Sequence, residues 1–473
     1  MAILTAAPFL AYAAFHFDSD QAIFGLMGID IAHAHAFPLA MYGQDYLLPV
    51  PSWLAAPGMA LFGASLTALK APLLAVHALT VWMLYRLLRS QSGLGPWPAA
   101  LATAPIAVPV PAMAAAFSNV SLGAIESLCY VVAIYALRAR PIALALLVAV
   151  ASAHREFVVA GVMALALVEL FDAGTAGWLR FAKRWLTIAV VAVAATTAIR
   201  AAQARTITNG VQHHVTIVAN RHPLQSLPWL ATHAATVLGL HTDGNVSVGV
   251  AVGYSDPAVW LRIAALAVLV VLACATLVRT RVRPETAFAR YLVMTGVFAA
   301  VLFVAVPLDP DLMQYRYLPL VCLLPSGLAA ATIGSSGDGY RRRLAVSAAI
   351  ILAAANAISL VTYSRALARA HLVDTVREVA VFLEQRNLHY GSAPYWTAYN
   401  LTFRSGGTIH VASSDVVRIL SYQDEYRAHR AEAFRLGEED CAPDREVSVR
   451  AVRVCVPAEK AVPDSPNAGR VAR

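Results

Sequence analysis

The sequence predicts an all-α polytopic membrane protein with about eleven transmembrane helices, followed by a small α/β domain at the C-terminus. Hydrophobic residues make up 59% of the chain and charged residues 14%, whereas soluble domains average about 25% charged residues. The mean hydropathy is +0.62. Apolar segments recur as far as residue 363, and the composition beyond residue 364 is that of a soluble domain. These observations exclude a wholly soluble globular protein.

The apolar segments are spaced as in a multi-pass protein, because most approach the roughly 17–25 residues that a bilayer requires. They are predicted at 2–16, 64–86, 96–115, 120–138, 140–153, 157–172, 185–203, 258–279, 290–307, 317–334 and 344–363. The third contains Pro105, Pro109 and Pro111, which predict a kinked helix. The fifth and sixth are short and form either two spans or a re-entrant pair.

Charge in the connecting segments predicts the orientation. Lysine and arginine concentrate in every second connection, and basic loops stay on the cytoplasmic side of a membrane. The basic connections are 86–95, 138–140, 172–184, 279–290 and 335–343. The N-terminus is therefore predicted to be cytoplasmic in a bacterial inner membrane, with the long loops 17–52 and 204–257 periplasmic. The net charge of +8 is distributed among these loops, which argues against nucleic acid as a partner.

Two domains follow from this topology, a transmembrane domain at 1–363 and a periplasmic cap at 364–473. The cap begins with an amphipathic helix in HLVDTVREVAVFLEQRN. Its apolar face is formed by Val376, Val379, Phe382 and Leu383. Alternating strand-like runs follow in TIHVASS and VSVRAVRVCV, and the last residues, AVPDSPNAGRVAR, are predicted to be disordered.

Five cysteines fall into two groups. Cys441 and Cys455 flank the last predicted hairpin, and in an oxidising periplasm they are expected to form a disulfide. The others lie inside predicted spans and are interpreted as small apolar packing residues; they are Cys129, Cys274 and Cys322.

The first outer loop contains the main candidate for chemistry. Asp18 and Asp20 follow the first apolar segment, and no lysine or arginine occurs between them and Lys70. Carboxylates at a membrane edge need a metal, a bound ligand or a proton to remove. The alternative is that they cap the next helix. Spacing alone leaves both interpretations open.

The same loop resembles that of bacterial GT-C membrane glycosyltransferases, the broad group related to protein O-mannosyltransferases and lipid A aminoarabinose transferases. Two later segments resemble the group as well, QYRYLPL at 314–320 and YWTAYNLTFRSGGTIHVAS at 395–413. The first-loop elements that carry the resemblance are Asp20-Gln21, Gly25-Leu26-Met27, Phe37-Pro38, Tyr42-Gly43-Gln44, Tyr46 and Phe62-Gly63. The middle of the chain carries no such match.

The resemblance implies a GT-C fold and a reaction. A sugar would pass, with inversion, from a polyprenyl-phosphate donor to a periplasmic or cell-envelope acceptor, which is a glycan, a lipid or a protein. Asp20 occupies the motif position of the catalytic base that takes the acceptor hydroxyl proton. Asp18 would orient the acceptor or share a divalent metal ion with Asp20; no other cofactor is implied.

Substrate-binding candidates follow from the charge of the leaving phosphate, which needs cationic stabilisation. The outer-face cations are Arg155, Arg205, Arg221 and Arg316. Arg316, beside Tyr317, is the preferred one because it lies in the matched QYRY segment. The alternatives are snorkelling of Arg316 at the membrane interface and an ion pair of Arg155 with Glu156.

Aromatic and amide side chains in the first loop are candidates for sugar contacts. They are Tyr42, Gln44 and Tyr46, with Trp53 nearby. The alternative is an ordinary interfacial aromatic belt. In the tail, Tyr395 and Trp396 either serve the acceptor side or pack the cap.

Two functions from other classes stay open at this stage, a transporter or flippase for a lipid-linked glycan and a non-catalytic subunit of an envelope-assembly complex. An enzyme needs the Asp20 carboxylate, whereas a scaffold tolerates an amide there. A transporter needs a path across the bilayer.

Overall fold

The computed structural model describes residues 2–44, 46–206, 226–241, 255–279, 286–306, 315–335, 339–437 and 441–458. The chain forms two compact units. The first, which we call the helical unit, comprises Met1–Tyr12, Lys70–Ala202 and His214–His371. The second, the mixed unit, comprises Ala13–Leu69, Gln203–His213 and Leu372–Arg473. The segment predicted as the first outer loop and the C-terminal tail thus belong to one unit.

Most of the described chain is helical. In chain order the helices are α1 (Ala2–Ala11), α2 (Ser19–Ala32), α3 (Val50–Phe62), α4 (Leu66–Gln91), α5 (Pro96–Ala107), α6 (Pro111–Phe117), α7 (Ala124–Ala136), α8 (Pro141–His154), α9 (Val159–Thr206), α10 (Leu227–Leu238), α11 (Val259–Arg279), α12 (Ala287–Ala305), α13 (Leu323–Ser335), α14 (Gly339–Arg369), α15 (Thr375–Gln385), α16 (Tyr395–Arg404) and α17 (Leu420–Ala428). Short 3-10 turns cover Ala13–His16, Glu156–Val158, Tyr315–Tyr317, Pro319–Cys322 and Pro443–Arg445.

The helices confirm a multi-pass membrane protein. Five helical segments in the described chain are long and apolar enough to span a bilayer, and a bent pair makes a sixth. The five are Leu66–Gln91, Glu156–Gly174, Ala176–Arg205, Ala287–Ala305 and Gly339–Arg369. Shorter apolar helices include α7, α8 and most of α11.

The bent pair is the proline-rich third segment, and the predicted kink is confirmed. Helix α5 ends at Ala107, α6 begins at Pro111, and their axes differ by 78°. A broken helix exposes carbonyl groups that need donors inside a membrane. One is supplied from α14, where Asn356 Nδ2 donates to the carbonyl oxygen of Val108 at 2.9 Å.

The predicted cytoplasmic connection at 172–184 is helical instead of a loop. Helix α9 continues through it and is interrupted only at Gly174, where φ is +57°. Arginine and lysine, the residues that suggested a loop, are good helix formers, and two charges of this segment have partners. Arg184 forms an ion pair with Glu169, and Asp172 pairs with Arg290 at 2.7 Å.

A buried ion pair joins three elements of the helical unit. The Arg262 side chain, fully buried in the first turn of α11, contacts Asp256 Oδ2 through two nitrogens at 3.1 and 3.2 Å. It also donates to Asn356 Oδ1 at 3.0 Å and to Ser359. The carbonyl oxygen of Gly239, after α10, accepts from it as well. A buried charge requires this degree of pairing.

The tail of the mixed unit contains the predicted α/β domain. Its strands are β1 (Tyr390–Ala393), β2 (His410–Ser413), β3 (Phe434–Leu436), β4 (Glu446–Val449) and β5 (Val452–Cys455). They form one sheet in the order β2-β1-β3-β5-β4. Strand β1 runs parallel to β2 and β3, whereas β5 is antiparallel to β3 and β4.

The amphipathic helix and the hairpin predicted in the tail are confirmed. Helix α15 buries Val379 and Leu383 in the core beneath the sheet, and Val376 and Phe382 pack against that core. The final hairpin is β4–β5, with Glu446 opposite Cys455. The stretch AVPDSPNAGRVAR lies outside the described residues.

Cys441 and Cys455 form a disulfide that closes a sequence separation of 14 residues, as predicted. Thiol labelling of the denatured, non-reduced protein should therefore modify only the three free cysteines, Cys129, Cys274 and Cys322. Cys441→Ser with Cys455→Ser is expected to destabilise the tail by about 3 kcal/mol, since a loop of this size loses that much closure entropy. Limited proteolysis of the tail measures this loss. Labelling of all five cysteines in the denatured, non-reduced protein without substitutions would contradict the bridge.

Candidate functional site

The start of α2 positions the two aspartates differently. Asp18 is the N-cap, and its Oδ1 accepts a hydrogen bond from the Gln21 amide at 2.9 Å. This satisfies one of the amide groups that a helix leaves unpaired at its beginning. Asp20 lies in the first turn, half-buried, between the buried Ser19 and Gln21. The capping interpretation is therefore correct for Asp18 and leaves the Asp20 carboxylate for other contacts.

The two matched sequence segments meet in the mixed unit, because α2 packs against α16. The glycine of the Gly-Leu-Met element makes this approach close: a Cβ on Gly25 would lie 2.4 Å from the Phe403 ring. Phe17, just before α2, packs on the same ring with centroids 5.3 Å apart. Asn400 of α16 donates to the carbonyl oxygen of Phe17 at 3.2 Å.

Gly25→Ala is expected to destabilise the protein by about 1–3 kcal/mol, because the added methyl group overpacks the α2–α16 contact. Gly58→Ala is the matched control: Gly58 also lies within a helix, and the nearest atom to its added Cβ is 3.8 Å away. There alanine is expected to be neutral or stabilising. Thermal unfolding in nanodiscs measures both, and equal effects would contradict the packing argument. Phe403→Leu should partly restore Gly25→Ala.

Tyr395, the first residue of α16, contacts Asp20 directly. Its hydroxyl donates a hydrogen bond to Asp20 Oδ1. Its carbonyl oxygen accepts from the Ser19 hydroxyl, so two consecutive residues of α2 bind it. Its amide donates at 2.7 Å to Oδ1 of Asp415, a residue that follows β2. The contact joins residues 375 positions apart in the sequence.

Arg418 completes this group from the segment before α17. Its Nη1 donates to the carbonyl oxygen of Gly43 at 2.7 Å, and its Cζ lies 5.9 Å from the centre of the Tyr395 ring. Gly43 has φ of +72°, and a Cβ there would be 2.4 Å from Arg418 Cδ. Glycine is therefore required in the Tyr-Gly-Gln element both for its backbone conformation and for the approach of Arg418. The Tyr399 hydroxyl fixes the Arg418 amide at 2.7 Å.

The electrostatics keep Tyr395 as a proton donor. Burial raises the pKa of its phenol, and the Asp20 charge and hydrogen bond raise it further, while Arg418 acts in the opposite direction. The phenol is therefore protonated at neutral pH. For Asp415, burial acts to raise the pKa of the carboxyl group. The amides of Val416 and Tyr395 and the Ser413 hydroxyl outweigh this and lower it, so Asp415 is an ionised acceptor at the start of α16.

The first-loop sugar candidates occupy different environments. Tyr42 is buried, and its hydroxyl donates to Asp30 Oδ2 at 2.6 Å; burial and this bond raise the pKa of its phenol. The Tyr42 hydroxyl is therefore bonded to a residue of α2. Gln44 closes a backbone turn onto Met41 at 2.9 Å, and Tyr46 is half-buried. Trp53, also named from the sequence, donates to the carbonyl oxygen of Pro38 at 3.1 Å and stacks on Phe37.

Two of the cationic candidates, Arg155 and Arg316, lie on turns of the helical unit that contact each other. Arg316 covers the ring of Tyr317, with Cζ 4.9 Å from the ring centre, and donates to its hydroxyl at 3.0 Å. Tyr317 packs edge-on against Phe157, two residues after Arg155, with centroids 5.1 Å apart. The helical unit thus brings the Arg155 and Arg316 turns together.

Arg155 is buried against a glycine. A Cβ on Gly123, which has φ of +60°, would lie 1.7 Å from Arg155 Nε. Arg155 Nη2 donates to the carbonyl oxygen of Val120 at 3.5 Å. Of the other two candidates, Arg205 is in the last turn of α9, and Arg221 lies outside the described residues.

Asp18 and Asp20 are the two carboxylates that the sequence offered as ligands for a divalent ion. A hard divalent ion takes about six to eight oxygen ligands. Among the residues that the structure describes, no three histidine, cysteine, aspartate or glutamate side chains converge on one point. Both candidate carboxylates already accept hydrogen bonds, Asp18 from an amide and Asp20 from a phenol.

Trp396 is 62% exposed, although its ring lies edge-on to Tyr395 with centroids 5.0 Å apart. It therefore does not serve to pack the tail, whereas Tyr395, 4% exposed, is buried. Sequence reasoning missed Asp415 and Arg418. The one available signal is the Ser-Ser-Asp turn at 413–415, directly after the matched tail segment.

The chain superimposes on ArnT from Cupriavidus metallidurans in the apo state, with a TM-score of 0.56 and 12% sequence identity. This similarity confirms the predicted GT-C fold, an array of apolar helices with a small α/β tail. The match covers 98% of this chain and 99% of that one. ArnT from the same organism bound to undecaprenyl phosphate matches over the same shares, with a TM-score of 0.55 and 12% identity.

At this identity the similarity establishes a shared fold. No family model matches the sequence, and no curated protein matches it.

Proposed function

We propose that this protein is a bacterial inner-membrane glycosyltransferase that transfers a sugar from a polyprenyl-phosphate donor to a cell-envelope acceptor. The observation that carries the proposal is the Asp20 carboxylate, held by Tyr395 where the two matched sequence segments meet. The fold supports it, since one of the similar ArnT structures contains undecaprenyl phosphate. Asp20 is proposed as the general base.

The reaction needs a base because a hydroxyl group is a weak nucleophile until its proton is removed. Asp20 takes the proton of the acceptor hydroxyl while the acceptor oxygen forms a bond to C1 of the sugar. The bond from C1 to the phosphate oxygen breaks, and its electrons leave with polyprenyl phosphate. Attack from the opposite face inverts the anomeric centre. The acceptor sugar, lipid or protein would contact the exposed Trp396.

The leaving phosphate gains negative charge, which cations stabilise. We assign this role to Arg316 and Arg155, whose turns contact each other through Tyr317 and Phe157. Arg316 has an Nε that is buried without a hydrogen-bond partner, which leaves a donor for a phosphate oxygen. Asp18 supports the base through the helix cap and not as a second base.

The proposed location has the outer loops and the tail in the periplasm. The disulfide between Cys441 and Cys455 supports an oxidising compartment for the tail. A C-terminal alkaline phosphatase fusion should therefore be active, and a C-terminal fluorescent protein dark.

The test is a donor assay on the purified full-length chain in nanodiscs. A panel of undecaprenyl-phosphate sugars is supplied with cell-envelope fractions as acceptors, and release of undecaprenyl phosphate is measured. Release with at least one donor is the expected result. A chain that binds donors, releases no undecaprenyl phosphate and moves the lipid-linked sugar between leaflets in proteoliposomes would instead be a flippase.

A further inference from the structure

We propose that Tyr395 is the positioning residue of the general base: its hydroxyl holds Oδ1 of Asp20, so that Oδ2 takes the acceptor proton. The inference rests on the proposed function, because it assigns Asp20 a base to be positioned. It goes further in placing part of the catalytic apparatus in the C-terminal tail, on a residue that itself never touches the reacting atoms.

Tyr395 is fixed along its whole length. Its amide is held by Asp415 at 2.7 Å and its carbonyl oxygen by the Ser19 hydroxyl. Its ring packs edge-on against Tyr399, with centroids 5.6 Å apart, and Arg418 lies over it. A side chain locked at its backbone, ring and tip aims its hydroxyl at one point, as preorganised sites require.

The Tyr395 hydroxyl fixes the orientation of the half-buried Asp20 carboxylate. The terminal torsion of an aspartate is broad and roughly two-fold, so an unrestrained Asp20 presents either oxygen in many orientations. A single donor at Oδ1 removes that freedom, and Tyr395 is the hydrogen-bond partner of the Asp20 side chain among the described residues.

Arg418 makes the phenol a better donor. Its positive charge acts on the Tyr395 hydroxyl and opposes the effects of burial and of Asp20. Among the described residues, the charged and titratable groups that contact or act on Tyr395 are Asp20, Arg418 and Asp415, with the phenol of Tyr399 against the ring. The Arg418 charge is held in place by the carbonyl oxygen of Gly43, which links the Tyr-Gly-Gln element of the first loop to the base.

Tyr395→Phe tests the role because it removes only the hydroxyl. Turnover should fall about 10- to 100-fold, the value of a hydrogen bond to a charged group, with little change in KM for the donor. Tyr390→Phe is the control: Tyr390 is a half-buried tyrosine of the same tail that stacks on His429, and within the described residues its hydroxyl makes no hydrogen bond.

A second variant guards against misfolding. Incorporation of 3,5-difluorotyrosine at position 395 keeps the ring and the bond while making the phenol a stronger donor. Turnover should then stay well above that of Tyr395→Phe, because the hydrogen bond to Asp20 is kept.

A readout that needs no turnover follows the Asp20 carboxyl by infrared spectroscopy with isotope-labelled aspartate, the band being assigned with Asp20→Asn. The frequency of this carboxylate band should shift in Tyr395→Phe, which lacks the hydrogen bond to Oδ1, and stay in place in Tyr390→Phe. An unchanged band and unchanged turnover in Tyr395→Phe would overturn the inference while the proposed function stands. Full turnover in Asp20→Asn would instead overturn Asp20 as the base, whatever Tyr395→Phe does.

Discussion

Asp20→Asn is expected to lower turnover by about 10²–10⁴-fold, the usual contribution of a positioned general base. Asparagine keeps the size of the side chain and still accepts the Tyr395 hydrogen bond through its carbonyl oxygen, but it cannot take a proton. Donor affinity should change little, because the lipid and the phosphate are proposed to bind elsewhere. Turnover and donor affinity of the purified variant in nanodiscs measure the two effects separately.

Asp18→Asn is the matched control, since it changes the same residue type two positions away. Asparagine is an equally good N-cap, so both stability and turnover should stay near those of the native chain. Near-native turnover in Asp20→Asn would reject the catalytic assignment and favour the transporter and scaffold interpretations.

Arg262→Met is expected to destabilise the protein by about 3–5 kcal/mol, the typical cost of leaving one partner of a buried ion pair uncompensated. The native guanidinium is fully buried and contacts Asp256, Asn356 and Ser359. Its removal would leave the Asp256 charge buried, with the Ser359 hydroxyl and the Ala258 amide as its donors among the residues that the structure describes. Thermal or denaturant unfolding in detergent measures the loss.

Two further variants test whether the loss in Arg262→Met comes from the buried charge that it leaves unpaired. Arg262→Met combined with Asp256→Asn removes the orphaned charge and should recover part of the loss. Arg290→Met breaks the pair with Asp172, whose carboxylate is 37% exposed, and should cost only about 0–1 kcal/mol. Similar losses in Arg262→Met and Arg290→Met would contradict the importance of burial.

The sequence predicted the parts of the fold that depend on local patterns. Hydropathy located the apolar helices, the three prolines located the bend between α5 and α6, and alternation located β2 and the β4–β5 hairpin. Strands β1 and β3 were not predicted. The connection at 172–184 was predicted as a loop, whereas the structure has two helical segments that meet at one break, Gly174. Arg184 and Asp172 pair with Glu169 and Arg290, so both charges are accommodated on helices.

The candidate site was predictable only in pieces. The first-loop motif singled out Asp20, and the tail motif included Tyr395, yet nothing in either segment says that they touch. Contacts between residues this far apart come from tertiary packing, here the approach of α16 to α2 over Gly25. Arg418 was not predicted at all, since an isolated arginine in a polar tail resembles any solvated cation until its contact with Gly43 is seen.

The distance along the chain between Asp20 and Tyr395 also has a consequence for biosynthesis. At typical synthesis rates Asp20 leaves the ribosome about 20–75 s before Tyr395 does. During that interval the first loop has its acid but not the hydroxyl that holds it. A nascent chain that has not yet released Tyr395 therefore lacks the complete group, and the step that assembles it is the packing of α16 against α2.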